Sequence, residues 1–177
     1  MKTSIEKVLN ILKQKDYTDK NLIAKFENRL KLDIPLLRQE NSTDHFCVFF
    51  IPIHKESNSI FMGHHIKANL WIPPGGHIDA NETPIITVIR EVSEELQYFA
   101  KPEDLELFNL STIDISNNPV CSKHWDLYYL LNMKEMINFP YEKREFSDAK
   151  WMDIKEANDL MQKHQSYKNA LKPLLTK

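Results

Sequence analysis

Glycine is scarce in this chain. Average usage of about 7 % predicts about twelve glycines in a chain of this length, yet its 177 residues hold three, Gly63, Gly75 and Gly76. A phosphate-binding P-loop needs GxxxxGK[ST], a dinucleotide fold GxGxxG and a nucleophile elbow GxSxG. Glycines so placed supply none of these, and those enzyme classes are excluded. Cysteine is equally thin, with Cys47 and Cys121 far apart and no CxxC pair. Without a disulfide framework the chain fits a reducing cytoplasm. Cys47 lies in an apolar run and reads as a buried small hydrophobe rather than a nucleophile. Neither sign of charge dominates: 23 Lys+Arg against 25 Asp+Glu leave −2. No broad basic face for a nucleic-acid polymer or a membrane follows, so any phosphate recognition is local. Long hydrophobic runs are missing too. The longest, Phe46 to Ile53, is too short to span a bilayer, and the N-terminus lacks the apolar core of a secretion signal. A soluble, cytoplasmic protein is expected.

The chain does have an ordinary globular composition, 42 % hydrophobic and 27 % charged, and the length of about one domain. Ile5, Val8, Leu9 and Leu12 follow helical spacing, as do Leu22, Ile23, Phe26 and Leu30. They predict two amphipathic helices within residues 1–41, the second capped by Thr18 and stopped before Pro35. From residue 42 the texture becomes β-rich. FCVFFIPIH and IFMGHH around the turn KESNS read as a strand pair, and Leu105 to Ile115, Lys123 to Asn132 and Lys150 to Ile154 read as further strands. Two helices are expected at the C-terminal end, over 155–164 and 167–175. The class is α/β or α+β, layered about a central sheet.

The informative stretch is WIPPGGHIDANETPIITVIREVSEELQY, residues 71–98. Two adjacent glycines in a glycine-poor chain imply a positive φ or a close approach to a ligand. Thr83 is placed as an N-cap and Pro84 at the first helical position. Ile85, Val88, Ile89, Val92 and Leu96 then form an apolar stripe, while Glu91, Glu94 and Glu95 fall within about 100° of arc beside it. Carboxylates spaced i, i+3 and i+4 repel one another. A solvated acidic face is the ordinary explanation, but no lysine lies between Gly75 and Tyr98 and the one cation of the helix is Arg90. A hard divalent cation, Mg²⁺ or Mn²⁺, is the better counterion, and it also accepts phosphate oxygens.

Gly76, five residues, Glu82, seven residues and then Arg90-Glu91-Val92-Ser93-Glu94-Glu95 resembles the signature of the Nudix hydrolases, the family of MutT-like pyrophosphohydrolases. The resemblance implies an α/β/α sandwich with a mixed sheet over residues 42–177, preceded by the helical extension 1–41. It implies metal-dependent hydrolysis of a phosphoanhydride in a nucleoside diphosphate linked to another moiety: a nucleoside triphosphate, nucleotide sugar or dinucleotide. By the same resemblance Glu91, Glu94, Glu95 and the Gly75 carbonyl would hold the metal, Arg90 would position a glutamate, and Gly76 and Glu82 would support the loop. The acid that activates water is Glu94 or Glu95, or else Glu145, whose spacing before Trp151 is similar to that of a loop acid in MutT-like members. Where the family has glycine after the glutamates this chain has Gln97, so the helix is expected to run on and stop before Pro102.

His64, His65, Lys67 and His124 are further candidates for phosphate or base contact, and Trp125 or Tyr128 for base stacking. For each a structural role competes. Two other classes stay open: an enzyme like isopentenyl diphosphate isomerase, which requires Cys47 or Cys121 in the metal pocket, and a non-catalytic nucleotide-binding regulator. The N-terminal helices are left three roles: covering the sheet, forming a homodimer contact or lining the cleft.

Overall fold

The computed structural model describes residues 1–115, 121–161 and 165–176. In chain order it forms α1 (Lys2–Leu12), α2 (Lys20–Lys31), β1 (Asp44–His54), β2 (Ser59–His65), β3 (Leu70–Ile72), β4 (Gly75–His77), α3 (Pro84–Leu96), β5 (Leu105–Asp114), β6 (Lys123–Asn132), β7 (Phe146–Asp153), α4 (Ile154–Leu160) and α5 (Gln165–Leu171). The sheet runs β3-β2-β1-β6-β5, with β4 paired to β1 and β7 to β2. β1 and β6 are parallel and the other pairs antiparallel, so the sheet is mixed.

Period-two alternation along β1 builds both layers. Phe46, Val48 and Phe50 join Val88, Val92 and Leu96 of α3 and the apolar faces of α1 and α2 in one core cluster. Phe49, Ile51 and Ile53 join Ala157 of α4 and Tyr167, Ala170 and Leu171 of α5 in the other. A strand buried on both faces reads as a continuous apolar run, which is how FCVFFIPIH reads. The result is the expected α/β/α sandwich with a mixed sheet.

Several local expectations are corrected. α2 is capped by Asp19, whose side chain accepts from Asn21 N–H and Leu22 N–H, while Thr18 lies one residue before the cap and its buried hydroxyl bonds no helix N–H. α3 does not run on: Gln97 takes the left-handed conformation, φ 49° and ψ 36°, in the family's glycine position. Its N–H bonds Ser93 O at 3.1 Å, which closes the last turn despite the side chain. The apolar stripe of α3 is also turned. Val88, Val92 and Leu96 are buried with Thr87, Glu91 and Glu95, whereas Ile85 and Ile89 are only half-buried. The strand expected at 150–154 starts earlier, at Phe146. The short strands β3 and β4 carried no alternation from which to expect them. Residues 162–164 of the expected helix over 155–164 lie outside the described residues. None of the described helices is long and apolar enough to cross a membrane.

Candidate active site

The paired glycines form β4, where Gly75 opposes Phe49 and Gly76 opposes Val48 of β1. Their close approach is to the protein itself. A Cβ on Gly75 would meet Val48 O at 2.2 Å, and one on Gly76 would meet Glu91 Oε1 at 2.1 Å. The missing methyl on Gly75 lets β4 pair closely with β1, and the missing methyl on Gly76 lets α3 bring Glu91 down against the sheet. Glu91 and Glu95 are accordingly buried, while the Glu94 side chain stays 59 % exposed.

Arg90 organises this acidic side. Its Nε donates to Glu82 Oε1 at 2.9 Å and Nη2 to Glu82 Oε2 at 3.1 Å, a two-point grip. Nη1 donates to Glu91 Oε1 at 2.8 Å and to Glu94 Oε2 at 3.1 Å. A last bond from Nη2 to His77 O at 3.0 Å ties the helix to β4. Arg90 thus holds three glutamates, and Glu82 is anchored again by the Thr87 hydroxyl at 2.8 Å. Desolvation pushes the Glu91 carboxyl up to about 7 against the pull of Arg90. Glu95 is driven up by burial and by Glu91 and Glu145, against a hydrogen bond from Gly75 N–H. Its Oε2 is buried with no partner.

These groups open onto a cleft of about 840 Å³ whose walls include Gly75, Gly76, Glu91, Glu94, Glu95, Glu145, Lys67 and His124. Most of the residues singled out in the sequence therefore converge. His65 lines the cleft with Nε2 3.5 Å from Glu145 Oε2. His64, its neighbour on the strand, instead bonds Ser147 Oγ at 2.8 Å and packs its ring on Trp71. Adjacent strand residues face opposite ways, so only one of this pair reaches the cleft. The stacking roles considered for Trp125 and Tyr128 are ruled out by burial. Trp125 packs on Phe26 and Phe46, and Tyr128 is fully enclosed against Phe49.

Sequence reasoning passed over Arg38, Glu142, Arg144, His45 and His77. Arg38, Glu142, Arg144 and His77 stand in the cleft wall, so cations from the α2–β1 connection and from the segment before β7 face it with Lys67. No periodicity marks Arg38. The two strand histidines become notable only once β1, β4 and β6 are known to pair. Cys47 and Cys121 also line the cleft.

A family profile described as the NUDIX domain matches residues 44–174. The chain is 30 % identical over 123 residues to a "Probable DHNTP pyrophosphohydrolase" of Lactococcus lactis subsp. cremoris, covering 66 % of this chain and 69 % of that protein. It is also 30 % identical over 146 residues to the RNA pyrophosphohydrolase of Hydrogenovibrio crunogenus, covering 73 % and 87 % of the two chains. Among solved structures, the E. coli dihydroneopterin triphosphate pyrophosphohydrolase has the same fold, with a TM-score of 0.64 at 17 % identity, covering 75 % of this chain and 96 % of that one.

Proposed function

We propose that this chain, which belongs to the NUDIX family and is a hydrolase acting on phosphoanhydrides, cleaves a nucleoside diphosphate linked to another moiety, using Mg²⁺ or Mn²⁺ held by Glu91, Glu94, Glu95 and the Gly75 carbonyl. The observation that carries this reading is the convergence of those groups with Glu145 on one cleft. Their chemistry fits a hard cation. Two carboxylates are buried side by side, one guanidinium is shared among three glutamates, and the Glu95 Oε2 has no donor. Isolated buried charge is costly unless paired or metal-bound. When bound, such an ion neutralises charge on phosphoryl oxygens and lowers the pKa of a bound water.

The remaining tasks fall to the protein. Arg90 fixes the direction in which Glu91 and Glu94 present their oxygens, and Glu82 fixes Arg90. Lys67 and Arg38 supply positive charge in the wall that draws a polyphosphate toward the acidic end, while Arg144 is held by Glu142. Glu94 and Glu145 are the exposed acids of the cleft, 59 % and 42 % by side chain, and either can take the proton of water attacking phosphorus. A triphosphate heads the substrate panel because DHNTP and dihydroneopterin triphosphate are named for two relatives.

The test is release of phosphate, pyrophosphate or nucleotide from nucleoside and pterin triphosphates, dinucleoside polyphosphates and nucleotide sugars with Mg²⁺. Turnover lost in Glu94→Gln and in Glu95→Gln is expected, and full activity in both overturns the reading. Because both cysteines reach the cleft, isopentenyl diphosphate belongs on the same panel. Its isomerisation without phosphate release would identify the isomerase-like alternative.

A further inference from the structure

A second donor set, of different chemistry, lies on the sheet face away from α3. β1 and β6 run parallel with His45 beside His124, so both rings share a face. His77 opposes Cys47, two residues along β1 from His45, and therefore projects to that same face. Cys121, in the connection to β6, brings its sulfur among the rings. Its Sγ lies 3.4 Å from His45 Nε2, 3.7 Å from His77 Nε2 and 2.7 Å from His124 Nε2. The three rings gather around it, tilted or edge-on to one another, with centroids 4.9 to 5.5 Å apart. The four donor atoms all lie within 4.8 Å of one another.

We propose that His45, His77, Cys121 and His124 bind one zinc ion.

Hydrogen bonds to the backbone fix only one ring of this cluster. The Asn41 carbonyl accepts from His45 Nδ1 at 3.1 Å, which makes the inward Nε2 of that neutral ring a lone pair. The Cys121 thiol has one proton to offer three inward nitrogens. The His45 lone pair and the Cys121 sulfur thus face the inward nitrogens of His77 and His124, and a cation would take all four as donors together. Two further features point the same way. Cys121 adopts φ 79°, a left-handed conformation unfavourable for a residue with a side chain. Behind the site, His124 Nδ1 and Asp126 Oδ1 are buried without partners, 4.0 Å apart. A shift of the His124 ring from the sulfur toward Asp126 would make the carboxylate–imidazole–metal relay that orients zinc ligands.

The spacing suits zinc. Bond lengths of about 2.3 Å to sulfur and about 2.0–2.1 Å to nitrogen at tetrahedral angles place S and N about 3.6 Å apart. The contacts to His45 and His77 already match, and the His124 contact opens by about 0.9 Å on the same geometry. Thiolate and imidazole are borderline to soft ligands that favour zinc over the magnesium preferred by carboxylates. On binding, the Cys121 S–H bond breaks, an S–Zn bond forms and the proton leaves to solvent. With four protein ligands the ion has no open position, so its role is to clasp β1, β4, β6 and the segment bearing Cys121 at the cleft wall.

The experiment is metal analysis of purified full-length protein after incubation with Zn²⁺ and desalting, in parallel with Co²⁺ spectra. One zinc per chain is expected, kept by the triple variant Glu91→Gln/Glu94→Gln/Glu95→Gln and bound more than about 100-fold more weakly by Cys121→Ser and by His124→Gln. Co²⁺ should give the intense visible bands of a tetrahedral ion with a thiolate-to-cobalt charge-transfer band. Zinc lost with the glutamates but kept by Cys121→Ser, no retained zinc, or a weak octahedral cobalt spectrum in the wild-type protein would each overturn the proposal. The spectrum needs no variant, so a misfolded Cys121→Ser protein does not spoil the test, and loss of hydrolysis bears only on the carboxylate site.

Discussion

A single methyl group tests the contact between Gly76 and Glu91. Gly76→Ala would place Cβ 2.1 Å from Glu91 Oε1, in a carboxylate already gripped by Arg90. Activity is expected to fall about 10- to 100-fold, as when a supporting group around a metal ligand is displaced, while a thermal melt shows the fold intact. Arg90→Lys should be as damaging, because an ammonium cannot reproduce the planar fork that holds Glu82 at two points. Glu82 carries a pH prediction. Its hydrogen bond from Arg90, chiefly, lowers its pKa in the folded state. Its contribution to stability is therefore complete above the unfolded value of about 4.3 and is lost as pH falls through the lower folded value. Melting temperatures of wild type and Glu82→Gln should differ at pH 7 and converge towards pH 3; a constant gap would contradict the assignment.

α3 shows what spacing in a sequence can and cannot convey. Its start at Pro84 and its carboxylate triplet were legible because caps and 3.6-residue periodicity are local. Its stop was not, since a general penalty against left-handed glutamine was outweighed by closure of the last turn through Ser93 O. Relief of that strain gives an expected outcome: Gln97→Gly should raise unfolding free energy by about 0.5–1 kcal/mol after allowing for glycine's extra unfolded-state freedom, measurable by urea denaturation with no change in activity. Which face of the helix is buried also escaped the sequence. Val88 and Val92 could be assigned inward from periodicity, whereas burial of Glu91 and Glu95 depends on a glycine strand passing beneath them. Arg38 and the His45–His124 pair were likewise invisible, being brought together only by strands nearly eighty residues apart pairing in parallel.

α1 and α2 share a core with the sheet. Ile5, Leu9, Leu12, Ile23, Phe26 and Leu30 are buried in the cluster that includes Phe46 and Leu127, and Phe26 meets Phe46 and Trp125 edge to face. Phe26→Ala is expected to destabilise by about 3–5 kcal/mol, and removal of residues 1–31 should yield protein that aggregates or melts many degrees lower. A truncated chain that kept the full melting temperature would show these helices to be dispensable. β1 ties these layers to both donor sets. Its even-numbered side chains back the carboxylate helix, and its odd-numbered ones carry His45 and Cys47 to the imidazole face. Because that alternation has a period of two, sliding β1 by one position against β6 would exchange the two faces at a stroke. The carboxylate cluster and the imidazole–thiol cluster thus share their dependence on one register of one strand, and a single slip would disrupt both at once.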